Sequence, residues 1–521
     1  MKKGVKAAAG GAAVALLGAG CVALGLLYNA ERAANRDLKA QLDELSQKEK
    51  RAAVLQSISA QMEDIAYQQK TISDEQREEA LQQTRVANEM RHRSETERQN
   101  ALAAEAEAVA SQRRALEAQA VAEQQRQVAE QQRAQAEEAK SVADTLSYVA
   151  LGRSLGSIST TQFQAGKTDM ADLLAYASYL FTTRYGGDVY NPAVYHALTD
   201  ASQSKRIQPM LNGAAMALTD VPGPNESVVS VSNYGELLNM QASSATGAPR
   251  HLFNNKEYDF RAVRLAPNGD VCAVSRTGML VVAQGTTVHV VPLTGVDHPF
   301  AIQPLSTDEM LVVGEAQVAV YNVLQRAVSA VKQLPFRVVA VGQHNGKPLL
   351  FDQHQQMHPV ASLDKIGSER VPVAGVLSAY ASSDDGSMQA YGMTDGTIVL
   401  CMQGGRQRQL VGHLSRISRL QFNGRNLYSS SYDGGLNLWV ISEGKIEPLT
   451  VFTMPSWMMD FDFDRSRQYV VAADHNGNIA QALIAVPSMV ARIKTRLKRN
   501  LTPEEWNYYI GPNVPYERFV E

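Results

Sequence analysis

The sequence has few cysteines, few tryptophans and no strong charge of either sign, and one long stretch holds neither glycine nor proline. There are three cysteines in 521 residues. Cys21 lies in an apolar N-terminal stretch, and Cys272 and Cys401 lie in strand-like runs. Scattered this way they form neither a disulfide framework nor a zinc site. They read as small buried apolar side chains rather than a redox pair. The formal net charge of −3 gives no overall attraction to nucleic acid or acidic lipid. Hydrophobic content of 45% and charged content of 20% are ordinary for a globular average. The average conceals abrupt shifts along the chain, and the length calls for several segments.

Residues Ala7 to Tyr28 carry no charge. That run of about 22 residues is long enough to cross a hydrocarbon core of roughly 30 Å as a helix. Lys2, Lys3 and Lys6 precede it, and Glu31 and Arg32 follow. The apolar run continues past Cys21 through Leu27, which favours an uncleaved transmembrane anchor over a signal peptide. Acylation at Cys21 is the other alternative, but Gly18-Ala19-Gly20 lacks the leucine usual three positions upstream. Gly11, Ala15, Ala19 and Ala23 form a small-residue stripe that suits close helix approach, or simply a small-residue anchor. The N-terminal lysines favour a cytoplasmic N-terminus and a periplasmic remainder; Arg32, Arg36 and Lys39 dilute that bias.

From Leu26 to Leu151 there is no glycine and no proline, and Ala, Gln, Glu and Arg dominate. Such a stretch reads as long helix. Near its end a seven-residue unit repeats, Ala122 to Val128 and then Ala129 to Gln135. Val121, Val128 and Val142 mark one register, and Ala122, Ala129, Ala136 and Ala143 its neighbour. Heptad spacing keeps a seam on one helix face and predicts an oligomeric coiled coil. The seam is poor in Leu and Ile, so a solvated single helix is the alternative. Fully helical, the stalk would reach on the order of 170 Å.

Glycines return at Gly152, Gly156 and Gly166. Thr168 is expected to cap a helix from Asp169 to about Arg184, and Asn191-Pro192 to open a short helix through Leu198. Together they predict a small helical hairpin beside the next domain. Gly166-Lys167-Thr168 imitates a phosphate-binding loop, but Thr161 stands where that loop needs glycine, so no nucleotide is expected.

From about Ile207 to Ile484 the pattern changes to short apolar runs separated by turns, with a spacing near 40 residues, the period of a four-stranded blade. The clearest unit is Val411-Gly412-His413, then Ile417 to Phe422, Leu427 to Ser431, and Asp433-Gly434-Gly435-Leu436-Asn437-Leu438-Trp439. This unit resembles the WD-repeat family, through its Gly-His pair, its Asp-Gly turn and the Trp closing the third strand. The resemblance implies a hydrogen-bond chain from His413 through Ser429 or Ser431 to Asp433 and Trp439. The same residue types could be taken for a Ser-His-Asp triad, but the blade pattern already gives each a structural role. Other units are degenerate: Ser383 to Gly386 and Asp395 to Cys401, Arg264 to Gly269 with Val271 to Val274, and Val470 to Asn476-Gly477. Weaker ones lie near Val228 to Met240, Met310 to Val323 and Val338 to Phe351. About seven blades are predicted, with Ile207 to Leu211 adding the outer strand of the last. Asp352, His354 and His358 suggest a metal site, but strand residues four apart are about 13 Å separated, too far to share an ion.

Val490 to Arg499 reads as a basic helix, and Thr502, Pro503 and Glu505 as a capping box opening another. The run Arg499 to Tyr509 looks like the closing segment of a bacterial WD-repeat group in which an Ala/Gln/Glu/Arg coiled coil and a helical neck precede the propeller. In many relatives a caspase-like protease or a STAND-class NTPase precedes the coiled coil. Here a membrane helix is expected in that place, with no effector, so the resemblance implies only the sensor or scaffold half. Packing against the propeller is the expected role of the basic helix, rather than nucleic-acid binding.

The expected organisation is an anchor at 1–28, a coiled-coil stalk at 29–146, a helical neck at 147–205, a propeller at 206–486 and a helical tail at 487–521. The expected function is a non-catalytic scaffold at the bacterial inner membrane. Its propeller would bind proteins and its stalk would self-associate, with no cofactor, no metal and no catalytic residue. The alternatives are a ligand sensor or degenerate hydrolase using the propeller channel, and a structural oligomer organised by the stalk.

Overall fold

The computed structural model describes residues 112–520, apart from 223–226 and 242–248, with a few short helical pieces between 84 and 96. The expected anchor at 1–28 and most of the stalk lie outside the described residues. Among those described, no helix is long and apolar enough to cross a membrane.

Among the described residues, twenty-eight strands arranged as seven sheets of four make the ring, with one further two-residue strand at the edge of the fourth. Each sheet is antiparallel, and in six of them the strands follow sequence order from the innermost outward. Blade 1 begins at Ala215–Val221, blade 2 at Phe260–Leu265, blade 3 at Ala301–Pro304 and blade 4 at Val338–His344. Blades 5, 6 and 7 begin at Leu377–Ser382, Ile417–Asn423 and Met458–Phe463. The seventh sheet takes its outer strand from the start of the domain: Arg206–Pro209 pairs with Asn478–Leu483, Arg206 opposite Gln481. The polar backbone of the last blade is thereby paired, which closes the ring.

Burial explains the sequence pattern. A middle strand has a neighbouring blade against each face, so Val271–Ser275 and Gly435–Trp439 are buried at every residue and read as continuous runs rather than alternations. The outer strand Arg206–Pro209 is exposed throughout. In six blades the innermost strand slips register near its start, as between Phe260 and Ala262 or Met458 and Asp460. Such bulges bend and twist a strand.

Among the described residues five helices longer than three residues accompany the ring: α1 (Gln112–Gln164), α2 (Thr168–Arg184), α3 (Pro192–Ser202), α4 (Val486–Arg496) and α5 (Pro503–Tyr509). α1 is unbroken across residue 146, so its last turns belong to the neck, which is a three-helix packing rather than a hairpin. Gly152 and Gly156 are helical. A Cβ on Gly152 would stand 2.6 Å from Thr182 Oγ1, and one on Gly156 2.5 Å from the Ala193 carbonyl oxygen. These glycines let helices touch; they do not end one. Ser178 seals the contact by donating to the Gly152 carbonyl at 2.6 Å. Thr168 does not cap α2: it is the first helical residue, and the cap position is Lys167, which makes no side-chain bond. Asn191 does cap α3, its side chain accepting from the Ala193 N–H, and α3 runs on to Ser202.

The basic helix starts earlier than expected, at Val486 with Pro487 in its first turn. Arg492 and Arg496 donate to the carbonyls of Ser202 and Ala201 at the end of α3, where helix carbonyls lack partners. Arg496 also bonds Asp172 at 2.7 Å. Burial raises the Asp172 carboxyl to about 6 against the pull of that guanidinium. α5 carries the expected capping box of Thr502 and Glu505. Leu173, Phe181, Leu198, Met489, Ile493 and Trp506 share one apolar core with Phe461 and Leu483 of blade 7. Neck, tail and last blade therefore pack as one body.

Candidate functional site

In blade 6, His413 lies on the connection from blade 5, Ser429 on the second strand, Asp433 in the following turn and Trp439 at the end of the third strand. His413 Nδ1 stands 2.9 Å from Asp433 Oδ2, and Nε2 stands 2.8 Å from Ser429 Oγ. Trp439 Nε1 donates to the same Oγ at 2.8 Å. Asp433 also accepts from the Leu414 and Gly435 N–H groups. Partial burial works to raise the Asp433 carboxyl, but the bonds from His413 and the two amides outweigh it and hold it at about 2. An ionised Asp433 only accepts, so Nδ1 carries the proton between them, and the Ser429 hydroxyl bridges Nε2 and the Trp439 N–H. Every donor and acceptor then has a partner, running Trp439 to Ser429 to His413 to Asp433.

These three polar groups have triad spacing. Yet Ser429 is 0% exposed, the His413 side chain is 1% exposed, and the Trp439 indole lies against the serine oxygen. No substrate atom reaches Ser429 in this arrangement. Ser431 stands apart from the chain: it donates to the Ser415 carbonyl and accepts from the Asp433 N–H.

The other blades fill the equivalent turn with different chemistry. Asp352 accepts from the His354 and Gln356 N–H groups and stands 3.3 Å from His358 Nε2. His358 Nδ1 bonds the Gly367 carbonyl at 2.9 Å, and Phe336 stacks on the imidazole at 3.8 Å between centroids. His354 lies in the hairpin turn rather than on a strand, and that turn folds Asp352 back onto His358, a pairing sequence reasoning missed. Asp474 makes the analogous turn with Asn476 and Asn478. Among the described residues no three His, Cys, Asp or Glu side chains converge as metal ligands.

A second polar group joins the innermost strands of blades 2, 1, 7 and 6 across the closure. Asp460 lies 3.9 Å from Arg264 Nη1 and 3.5 Å from Arg419 Nε, and accepts from the Leu218 N–H. Asp462 accepts from Gln421 Nε2 at 3.0 Å and from the Asp220 N–H at 3.3 Å. Burial lowers the Arg264 guanidinium to about 10, helped by repulsion from Arg419. Burial also raises the Asp460 carboxyl, against both arginines. Each charge offsets part of the other's desolvation cost, and removing one would leave its partner uncompensated. No local pattern links residues so far apart in the chain.

A cavity of about 440 Å³ in blade 5 is lined by Asp385, Ser387, Gln389, Cys401 and Met402. The Asp385 carboxyl is held at about 2 by bonds from Ser383 and Ser387, so its oxygens are already engaged. Burial raises the Cys401 thiol, and it raises that of Cys272 to about 12, which leaves neither as a ready nucleophile.

Arg416, Tyr432, Trp457 and His475 are the side chains that the blade motif did not single out. In an antiparallel four-stranded blade, the turn between second and third strands and the connection to the next blade emerge on the same face. Hydrogen bonds join the two: Tyr432 N–H to the Arg416 carbonyl at 3.0 Å, and His475 N–H to the Trp457 carbonyl at 2.9 Å. The Tyr432 and Trp457 rings stack at 5.3 Å, within 5° of parallel. His475 lies 5.1 Å beyond Trp457, and the Arg416 guanidinium lies 5.9 Å from the Tyr432 ring.

No protein-family model and no curated protein sequence matches the chain. Among solved structures, the crystal structure of the WD40 β-propeller domain of Doa1 is similar over 54% of this chain and 96% of that one, at 13% identity and a TM-score of 0.45. At that score the likeness adds no weight to the strand pairing, which by itself defines a seven-bladed propeller whose sixth blade carries a His-Ser-Asp-Trp hydrogen-bond chain.

Proposed function

We propose that the chain is a non-catalytic adaptor whose propeller binds other proteins. The observation that carries this reading is where its apolar and reactive groups lie. The His, Ser and Asp side chains of blade 6 are spent on one another, whereas Leu414 is 91% exposed and Trp457 52% exposed on a single face of the ring. Exposed apolar and aromatic side chains gathered on one face mark an association surface.

The uncharged stretch Ala7 to Tyr28 supports a membrane tether, placed in the bacterial inner membrane with the propeller in the periplasm. Along α1, Val121, Val128, Val142 and Leu146 remain exposed, and the heptad spacing of the valines supports self-association of the stalk. To test the adaptor reading, a photo-crosslinking amino acid is placed at Leu414 in the full-length chain in cells. Discrete adducts with other proteins are expected. Adducts with the chain itself alone, or none, would sink the adaptor and leave the structural oligomer.

A further inference from the structure

Four residues close the ring, and they are exposed throughout: Arg206–Pro209 pairs with Asn478–Leu483 at the rim of blade 7. Both partners lie within a few residues of a helix, α3 before the closing strand and α4 after the last one. Those helices are bonded to each other. Arg492 Nε donates to the Ser202 carbonyl at 2.8 Å, and Arg496 Nη1 to the Ala201 carbonyl at 2.7 Å. Between helix and strand, Ser204 Oγ accepts from the Leu483 N–H at 3.1 Å. The second arm of Arg496 reaches Asp172 of α2 at 2.7 Å. One guanidinium thus ties three helices together beside the closing strand.

Asp172 is the weak member of this junction. It is 4% exposed. Oδ2 holds the Arg496 bond, but Oδ1 is buried with no hydrogen-bond partner among the described residues. The guanidinium is shared with the Ala201 carbonyl. A carboxylate that has given up water at both oxygens and regained a partner at one is costly to keep ionised. That is the geometric reason its carboxyl stands at about 6. The surrounding groups leave this balance in place. Asp169, one turn earlier on α2, opposes ionisation. From α1, Ser159 donates to the Ala171 carbonyl. α3 brings Asp200, itself raised by burial, with His196 and Lys205 acting against that rise. On α4, Arg492 is engaged at Ser202 and Lys494 is exposed, and in the tail Arg499 is paired with Glu505.

We propose that this junction is a proton-operated latch on the ring. With a proton on Asp172, the three helices hold together and the closing strand stays paired; with the proton lost, the junction loosens and Arg206–Pro209 opens more often. A neutral Asp172 keeps the Arg496 bond through its carbonyl oxygen. The direction follows from linkage. When the junction opens, Asp172 returns to water and to an ordinary carboxylate value of about 3.9. The closed state therefore holds the proton more tightly than the open one. Its advantage is fully present below about pH 4 and is lost as pH rises through about 6. This is opposite in sign to Asp433, whose bonds weaken only in acid. The latch acts on ring closure, and it stands whether or not the propeller is an adaptor.

Hydrogen–deuterium exchange on the full-length chain tests it, read at residues 205–209 and corrected at each pH for the intrinsic exchange rate. The expected result is about tenfold less opening at pH 5 than at pH 8, with no such change at Ala327–Gln333, the outer strand of blade 3. Asp172→Asn, neutral at every pH, should exchange slowly at both. Arg496→Gln removes the charge that favours ionisation, so the midpoint of the change should move to higher pH. Opening that is unchanged or increased in acid would overturn the proposal. So would an unaltered response in Asp172→Asn, which would assign the effect to another group such as His196. If Asp172→Asn does not fold, the Arg496→Gln midpoint decides, and one that stays or falls overturns the latch.

Discussion

Blades 4 and 6 meet the same demand by different means. Each must fix the turn after its second strand and also hold the connection arriving from the previous blade. Blade 6 does both through hydrogen bonds: His413 comes from the connection, and Asp433 ties it to the turn. Blade 4 divides the work. Asp352 organises its turn and holds His358, while the connection is pinned by Phe336 stacked on that imidazole. A directional chain of bonds demands particular residue types at fixed positions, so it leaves a readable motif. A ring contact demands only a flat apolar surface, so it leaves almost none.

The contrast has measurable consequences. The largest is expected for His413→Ala, which strips one of three donors from Asp433 and leaves the buried Ser429 hydroxyl without its acceptor. Such losses cost about 3 kcal/mol, to be read as a lowered midpoint in urea unfolding. Phe336→Ala removes a half-buried ring with no polar group left unmatched. About 1–2 kcal/mol is expected, and Phe336→Leu should recover part of it where no conservative change rescues His413. The smallest effect is acid sensitivity. The Asp433 carboxyl is depressed to about 2 when folded, so its contribution is fully present above the ordinary carboxylate range and is lost as pH falls through the folded value. Between pH 4 and 2 that loss is on the order of 1 kcal/mol after allowing for solvent screening. In Asp433→Asn this part of the pH profile should flatten; an unchanged acid profile would show that the His413 bond is worth little.

The same reasoning explains what could be read from the chain. The blade 6 motif, the Asp395-Gly396 turn and the closing strand near Ile207 were legible because each has a local chemical signature. The near-forty-residue spacing carried the blade count even where motifs had decayed. The role of Gly152 and Gly156 was not legible, because a glycine that lets helices touch and one that stops a helix look alike in one dimension. The Asp352–His358 pair was hidden by treating the segment as one straight strand. The Asp460 group, drawn from four blades, had no signature at all. Nor did the stacked row of Arg416, Tyr432, Trp457 and His475, whose members are 16 to 59 residues apart and meet only because consecutive blades repeat the same turn.

Because Arg206 pairs with Gln481, the seam joins a segment made early in synthesis to one of the last strands made. Until residue 481 has left the ribosome, blade 7 lacks its third strand and Arg206–Pro209 has nothing to zip onto. A nascent chain can therefore hold six stacked sheets and still be an open arc with two sticky ends, a state in which neighbouring chains on one messenger could exchange their first strands. The four-residue length of the closing strand makes a mistaken exchange easy to undo.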